Sequence, residues 1–465
     1  MKKITTLLMA LMCIFMALAF SSCGEPETPE ELWDKTSEEM DKVESYKMTM
    51  EADVKMWMQK TFVVGKITGT MIGIFDADNY YYYEKNNTKM TSEELELDEQ
   101  TASIEAYNDG KRFLKYEENG KSHGIYATTS VEDFTAYIEK KNGEGTLDPK
   151  SGANLEFTKN DDKTWTLKCS GFPKKVIEEF IEEDYSLFGA EIEDIELTLT
   201  MNDDFLLTSE EMTFVFDDKG AITPAVSYKA KYFDFDKAEK ITEDLDTKDY
   251  TKIDSFEILD TIEEQIEEHQ GAENGSFTLY ASQKVQVAAG ATNSSYETDK
   301  VEYGKKNGSY YYEIDANVNG NSNITIKYEN GIKTISPSIM GSSEAQAENE
   351  ARMYIDNLIN SANFQKALVS SITDKGDGKY EIEINVFDDD YKTMMEAIGG
   401  GLETTYNGTE QTITFTIENG KLTKIDSKVE SRGSVKVGMT TREVTITIGS
   451  IVIFNEVKTN SGSAL

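Results

Sequence analysis

The stretch Ser45-Tyr46-Lys47-Met48-Thr49-Met50-Glu51-Ala52-Asp53-Val54-Lys55-Met56-Trp57-Met58 alternates strictly. Tyr46, Met48, Met50, Ala52, Val54, Met56 and Met58 fall on one face; mostly polar residues fall on the other. Period-two alternation of this length predicts a long antiparallel strand, apolar on one side and solvated on the other. Just upstream, Leu32, Trp33, Thr36 and Met40 recur at helical spacing with acidic residues opposite, so a helix should lead into the strand.

The same order recurs further along. Ile258, Leu259, Ile262 and Ile266 form a second apolar helical stripe, and Phe277, Leu279, Ala281, Gln283, Val285, Val287 and Ala289 share a second strand face. The tyrosine run Asn79-Tyr80-Tyr81-Tyr82-Tyr83-Glu84 matches Ser309-Tyr310-Tyr311-Tyr312-Glu313. Lys115-Tyr116-Glu117 matches Lys327-Tyr328-Glu329, and Phe214-Val215-Phe216-Asp217 matches Phe415-Thr416-Ile417-Glu418. A helix with Phe134, Tyr137 and Ile138 matches one with Ala351, Tyr354, Ile355 and Leu358. The turn at Asn160-Asp161-Asp162 matches that at Gly376-Asp377-Gly378, and Ile177, Phe180 and Ile181 match Met394, Met395 and Ile398. Recurrence in sequential order predicts an internal duplication. The expected layout is a first domain over 31–236, a charged linker over 237–254, a second domain over 255–458 and a frayed tail over 459–465.

Each repeat thus reads as an α+β module: an antiparallel half-barrel sheet whose apolar face is covered by helices, two copies in tandem. The helix followed by Ser45-Tyr46-x-Met48-x-Met50 resembles the opening of the LolA/LppX-like lipoprotein superfamily. That resemblance implies a lipid or other acylated ligand held between sheet and helices. The tandem arrangement departs from the single-domain carriers.

The N-terminus points to the same compartment. Met1-Lys2-Lys3 is cationic, and the apolar run Leu7 to Phe20 is shorter than the roughly 20 residues of a bilayer span. Phe20-Ser21-Ser22-Cys23-Gly24 resembles the lipobox of bacterial lipoproteins, in which cysteine takes a diacylglycerol on sulfur. Residues 1–22 are therefore expected as a signal peptide, Cys23 as the lipidated residue and 23–30 as a tether. At about 3 Å per residue the tether reaches roughly 20 Å. Ala17-Leu18-Ala19 also fits a signal-peptidase site, so plain secretion is the competing reading. The implied location is the extracytoplasmic face of a bacterial membrane.

Composition narrows the chemistry. There are 86 acidic residues against 47 basic ones, a formal net charge of −39, which speaks against nucleic acid and against docking on anionic lipid through a basic face. Of three cysteines only Cys169 stands outside the leader and lipobox, so no disulfide is expected within a domain. The two histidines show no metal spacing: His123 is read in a turn, and His269 ends an acidic helix where an imidazolium would suit the dipole. Gly120-Lys121-Ser122 lacks the first glycine of a phosphate loop, and Gly399-Gly400-Gly401 suits a helix end. Asp203-Asp204 and Asp388-Asp389-Asp390 read as solvated loop tips rather than calcium sites. Cys169 reads as a buried thiol on a strand with Trp165 and Leu167. No enzyme, cofactor or metal is expected.

What remains is binding. Met48, Met50, Met56 and Met58 in the first repeat, with Leu279, Val285 and Val287 in the second, are the candidate walls of an apolar or amphiphilic ligand site, methionine being adaptable to varied shapes. The outward members of the tyrosine runs, Tyr81, Tyr83 and Tyr311, are the candidate contact surface for an envelope protein. The alternative function is an envelope interaction protein with no small ligand.

Overall fold

A computed structural model of the chain describes residues 25–455 except 59–61, 77–78, 93–96, 144–146, 181–185, 188–189, 217–221, 273, 288–289, 307–308, 321, 337–342, 347, 388–390, 394, 397–402 and 438–439. The leader, Cys23, Asp388-Asp389-Asp390, Gly399-Gly400-Gly401 and the tail lie outside the described residues, as do the side chains of Met56 and Met58. The chain is mostly β-sheet with few helices and divides into two compact units, Met1–Lys252 and Ile253–Leu465.

The first unit opens on the helix Pro29–Met40. Thr28 caps it, its hydroxyl accepting from the Glu31 amide at 3.2 Å, proline occupies the first turn, and Glu30 and Glu31 complement the dipole. Leu32, Trp33, Thr36 and Met40 are buried, as their spacing requires. Strands β1 (Ser45–Met58), β2 (Phe62–Asp76), β3 (Tyr81–Ser92), β4 (Leu97–Asn108), β5 (Lys111–Glu118) and β6 (Lys121–Thr128) run out as a meander. The helix Val131–Gly143 follows, then β7 (Asn154–Lys159), β8 (Trp165–Ser170), the helix Lys174–Phe180 and β9 (Ser186–Leu187). Strands β10 (Ala190–Met201), β11 (Leu207–Phe216) and β12 (Ile222–Phe233) bring the chain back to β1. The sheet order is β13-β6-β5-β4-β3-β2-β1-β12-β11-β10-β8-β7, with β9 on β10 and β13 (Thr251–Lys252) parallel to β6.

The second unit opens on the helix Glu257–Gln270 and continues through β14 (Asn274–Val287), β15 (Gly290–Lys306), β16 (Ser309–Val318), β17 (Ser322–Glu329), β18 (Ile332–Ser336) and β19 (Ser343–Ala345). The helix Glu348–Ile359 precedes β20 (Val369–Gly376), β21 (Lys379–Ile384), β22 (Thr404–Glu418), β23 (Lys421–Val437) and β24 (Thr440–Phe454). Its order is β19-β18-β17-β16-β15-β14-β24-β23-β22-β21-β20. In both sheets a meander leaves one edge of the first long strand, and a returning strand, β12 or β24, pairs with its other edge. On that path the tyrosine runs fall on β3 and β16, at matching positions. Lys115 on β5 and Lys327 on β17 do not; nor do Phe214 on β11 and Phe415 on β22. Each of these two sequence pairings is one strand out.

Most of the segment expected as a linker, 237–252, is part of the first unit. The Asp236 carboxylate accepts from the Glu44 amide at 2.8 Å, tying the end of β12 to the start of β1. Tyr250 packs edge-on against Phe113 at 5.2 Å, and Leu245 joins the same buried cluster. Charge in 237–254 read as a linker because its few apolar residues are widely spaced, yet those few are the ones that dock. The two histidines also differ from expectation. His123 lies on β6, not in a turn. His269 is buried, stacked on Phe454 at 3.7 Å, with Nε2 3.0 Å from the Leu422 carbonyl. Burial lowers its pKa, so it is a neutral ring donating to that carbonyl rather than an imidazolium at a helix end.

Candidate functional site

Cross-strand register defines one face of the first sheet residue by residue. Met48 stands opposite Gly73 on β2 and Tyr232 on β12; Met50 opposite Met71 and Ala230; Ala52 opposite Gly69 and Tyr228; Val54 opposite Ile67 and Val226. The row continues through Glu210 and Leu199 on one side and Asn86 on the other. This is the face the helix Pro29–Met40 covers: Leu32, Trp33 and Met40 share one buried cluster with Met48, Met50, Met71, Leu167, Leu199 and Met212. Cys169 lies in that cluster as a buried thiol, and burial pushes its pKa up to about 12.

Met48 and Met50, expected to line a ligand site, are 2% and 1% exposed. They lie where a wall would be, packed against their neighbours. In the second unit Leu279 is buried, whereas Val285 and Val287 are half-buried around a separate cluster of Met395, Val435, Val444 and Ile446. Ala281 is half-buried and Gln283 exposed on the same strand face, so that face is covered less completely than the first.

The tyrosines correct the expectation. Tyr81 and Tyr83 do not face solvent; both are buried. Tyr81 donates to the Ile241 carbonyl at 2.8 Å and accepts from the Ile241 amide at 2.9 Å; Tyr83 donates to Asp244 at 2.7 Å. The docked segment 237–252 covers the side of β3 that alternation alone assigns to water. Tyr311 is half-buried, while Tyr80, at a positive φ in the turn before β3, is exposed.

Sequence reading missed the polar groups inside the covered face. Glu210 on β11 is buried, and its Oε2 accepts from Tyr232 at 3.1 Å. Its Oε1, the Tyr228 hydroxyl and Asn86 Oδ1 are buried with no hydrogen-bond partner among the described residues. Leaving such an atom unpaired costs about 1–3 kcal/mol. Burial raises the Glu210 carboxyl from 4.5 to about 7, against the opposing bond from Tyr232. On the other side of the row, Glu84 on β3 accepts from Tyr82 and Asn86, and beyond it Arg112 pairs with Glu105 at 2.8 Å beside the Tyr137 ring. The available signal was Glu210 at an apolar position of the pattern Leu207-x-x-Glu210-x-Met212-x-Phe214. Asp203 and Asp204 are exposed in a turn, and among the described residues no cluster of His, Cys, Asp or Glu could hold a metal. No helix among them is long and apolar enough to cross a membrane.

No protein-family model matches the chain, and no curated protein matches it. Among solved structures, the Mycobacterium tuberculosis lipoprotein LppX is similar at 11% identity over 46% of this chain and 97% of that one, with a TM-score of 0.25. A putative AttH from Nitrosomonas europaea is similar at 8% identity over 93% of this chain and 98% of that one, with a TM-score of 0.13. Pseudomonas aeruginosa OpdO is similar at 6% identity over 90% of this chain and 100% of that one, with a TM-score of 0.12. At these scores the likenesses bear on neither fold family nor function.

Proposed function

We propose that the chain is a membrane-anchored, extracytoplasmic lipoprotein, lipidated at Cys23, that holds an apolar or amphiphilic ligand between sheet and helices. In this reading its two units are copies of one half-barrel module. The observation that carries it is the first unit's helix-covered face, where Met48, Met50 and Met71 alternate with the short residues Ala52, Ala230, Gly69 and Gly73. Unbranched methionines can swing aside, and short neighbours give them room, so an acyl chain can replace methionine contacts as the covering helix lifts. The shared strand order supports duplication. The leader and the lipobox-like Phe20-Ser21-Ser22-Cys23 support the compartment.

The test is mass spectrometry of organic extracts from the chain purified out of its own membrane. The reading expects long-chain species in near-stoichiometric amount; repeatedly clean extracts sink it. The rival, an envelope interaction protein with no small ligand, draws on the close packing of Met48, Met50 and Leu279. It expects the clean extract.

A further inference from the structure

We propose that the covered face of the first unit selects an uncharged long-chain amphiphile with a hydroxyl or amide donor at each end of its apolar span, one end seated at Glu210 and Tyr228 and the other at Asn86. This rests on the reading that ligand lies between sheet and helices, and it names the chemistry of that ligand.

The row running from Glu210 passes through Ala230, Met50 and Met71 to Asn86. Glu210 is 2% exposed and Asn86 6%. Tyr228 lies diagonally from Glu210 across β11 and β12, about 7 Å away at Cβ. At one pole are therefore two polar atoms, Glu210 Oε1 and the Tyr228 hydroxyl, that no described residue pairs; at the other is Asn86 Oδ1. Asn86 Oδ1 is an acceptor and calls for a donor, and Glu210 Oε1 and the Tyr228 hydroxyl can each accept, so a ligand hydroxyl or amide N–H serves either pole. Glu84, held by Tyr82 and Asn86 at the far pole, and Glu210 at the near one disfavour a ligand carboxylate. Between the poles the floor is apolar. Four strand spacings of about 4.8 Å separate them, roughly 19 Å, near the length of an extended palmitoyl chain.

The second unit lacks this arrangement. In the register that sets Met50 against Ala281, Ala230 becomes Ser450 and Glu210 becomes Ser427. Ser361 already donates to Ser450 at 3.1 Å. On that row the second unit has, among the described residues, one buried unpaired hydroxyl, Tyr296, with Val318 at the position of Asn86, so orphan groups at both ends, and the preference for a doubly donor-tipped chain, belong to the first unit.

The experiment is a tryptophan-fluorescence titration of the full chain, with Trp33 and Trp165 in the same cluster as reporters. The probes are hexadecanediol with a hydroxyl on each terminal carbon, and hexadecanol, both delivered from cyclodextrin. The diol should bind about tenfold more tightly than hexadecanol, the gain expected of one added buried hydrogen bond. Tyr228→Phe, which keeps the ring in place, and Glu210→Leu should each cut that preference to about threefold or less. Equal binding of the two probes to the unaltered chain overturns the proposal while leaving a ligand site in place. So does a full preference retained in both variants. If neither probe binds, the ligand reading fails and this proposal with it.

Discussion

Glu210 sets the pH behaviour of the first unit. Its carboxyl ordinarily titrates at 4.5 and in the fold at about 7, because it is buried. The folded chain therefore holds that proton more tightly than the unfolded one. Glu210 weakens the fold as pH rises through this window, and its full penalty is present above about pH 7. Glu210→Gln keeps the shape without the charge. It should raise unfolding free energy by up to about 3 kcal/mol near pH 8 and change little near pH 4, measured by urea titration of the first unit's transition. A gain of equal size at both pH values would contradict this account. Glu210 was also the residue hardest to read from sequence. Alternation places it correctly on the apolar face, but a lone acid there looks like an error in the pattern until the register shows what surrounds it. Tyr81 and Tyr83 went wrong for a related reason: period two says which side chains share a face, not whether a later segment covers it.

At the scale of elements, the long strands were the most legible feature. The β1 face follows the alternation from Met48 to Val54 residue by residue. Turns could have been read too: Asn119-Gly120, Asn330-Gly331 and Asn419-Gly420 all adopt positive φ at both residues, the tight hairpin geometry that Asn-Gly favours. Irregular strand pairing is less visible in sequence. Between Phe277 and Tyr280 the β14–β15 register shifts, and Thr298 bridges the gap. Its hydroxyl accepts from the Leu279 amide at 2.6 Å and donates to the Leu279 carbonyl at 3.3 Å. Thr298→Val keeps the volume and strands both backbone groups, so it should cost about 2–3 kcal/mol in the second unit, with Thr298→Ser recovering most of it. Equal stability of the valine and serine variants would show that the bridge contributes nothing.

For the molecule as a whole, the sequence pattern reached the sheet character, and it missed that 237–252 belongs to the first unit. That segment is charged on its surface and docks through Ile241, Leu245 and Tyr250, too few apolar residues to form a period. Anchoring is a separate claim with a simple check. Cys23→Ser should move the chain from the membrane fraction to the soluble extracytoplasmic fraction; a variant that stays with the membrane after a salt wash would contradict lipidation at Cys23. The central claim is that the helix-covered face of the first sheet takes up an amphiphile, and photo-crosslinking addresses it most directly. The purified full chain would be loaded with a diazirine-bearing hexadecanol, irradiated and the adducts mapped. The account predicts adducts on Met48, Met50 or Met71 beneath the helix Pro29–Met40. Adducts confined to the opposite face of the same strands, at Glu51 or Lys229, or none at all, would contradict it.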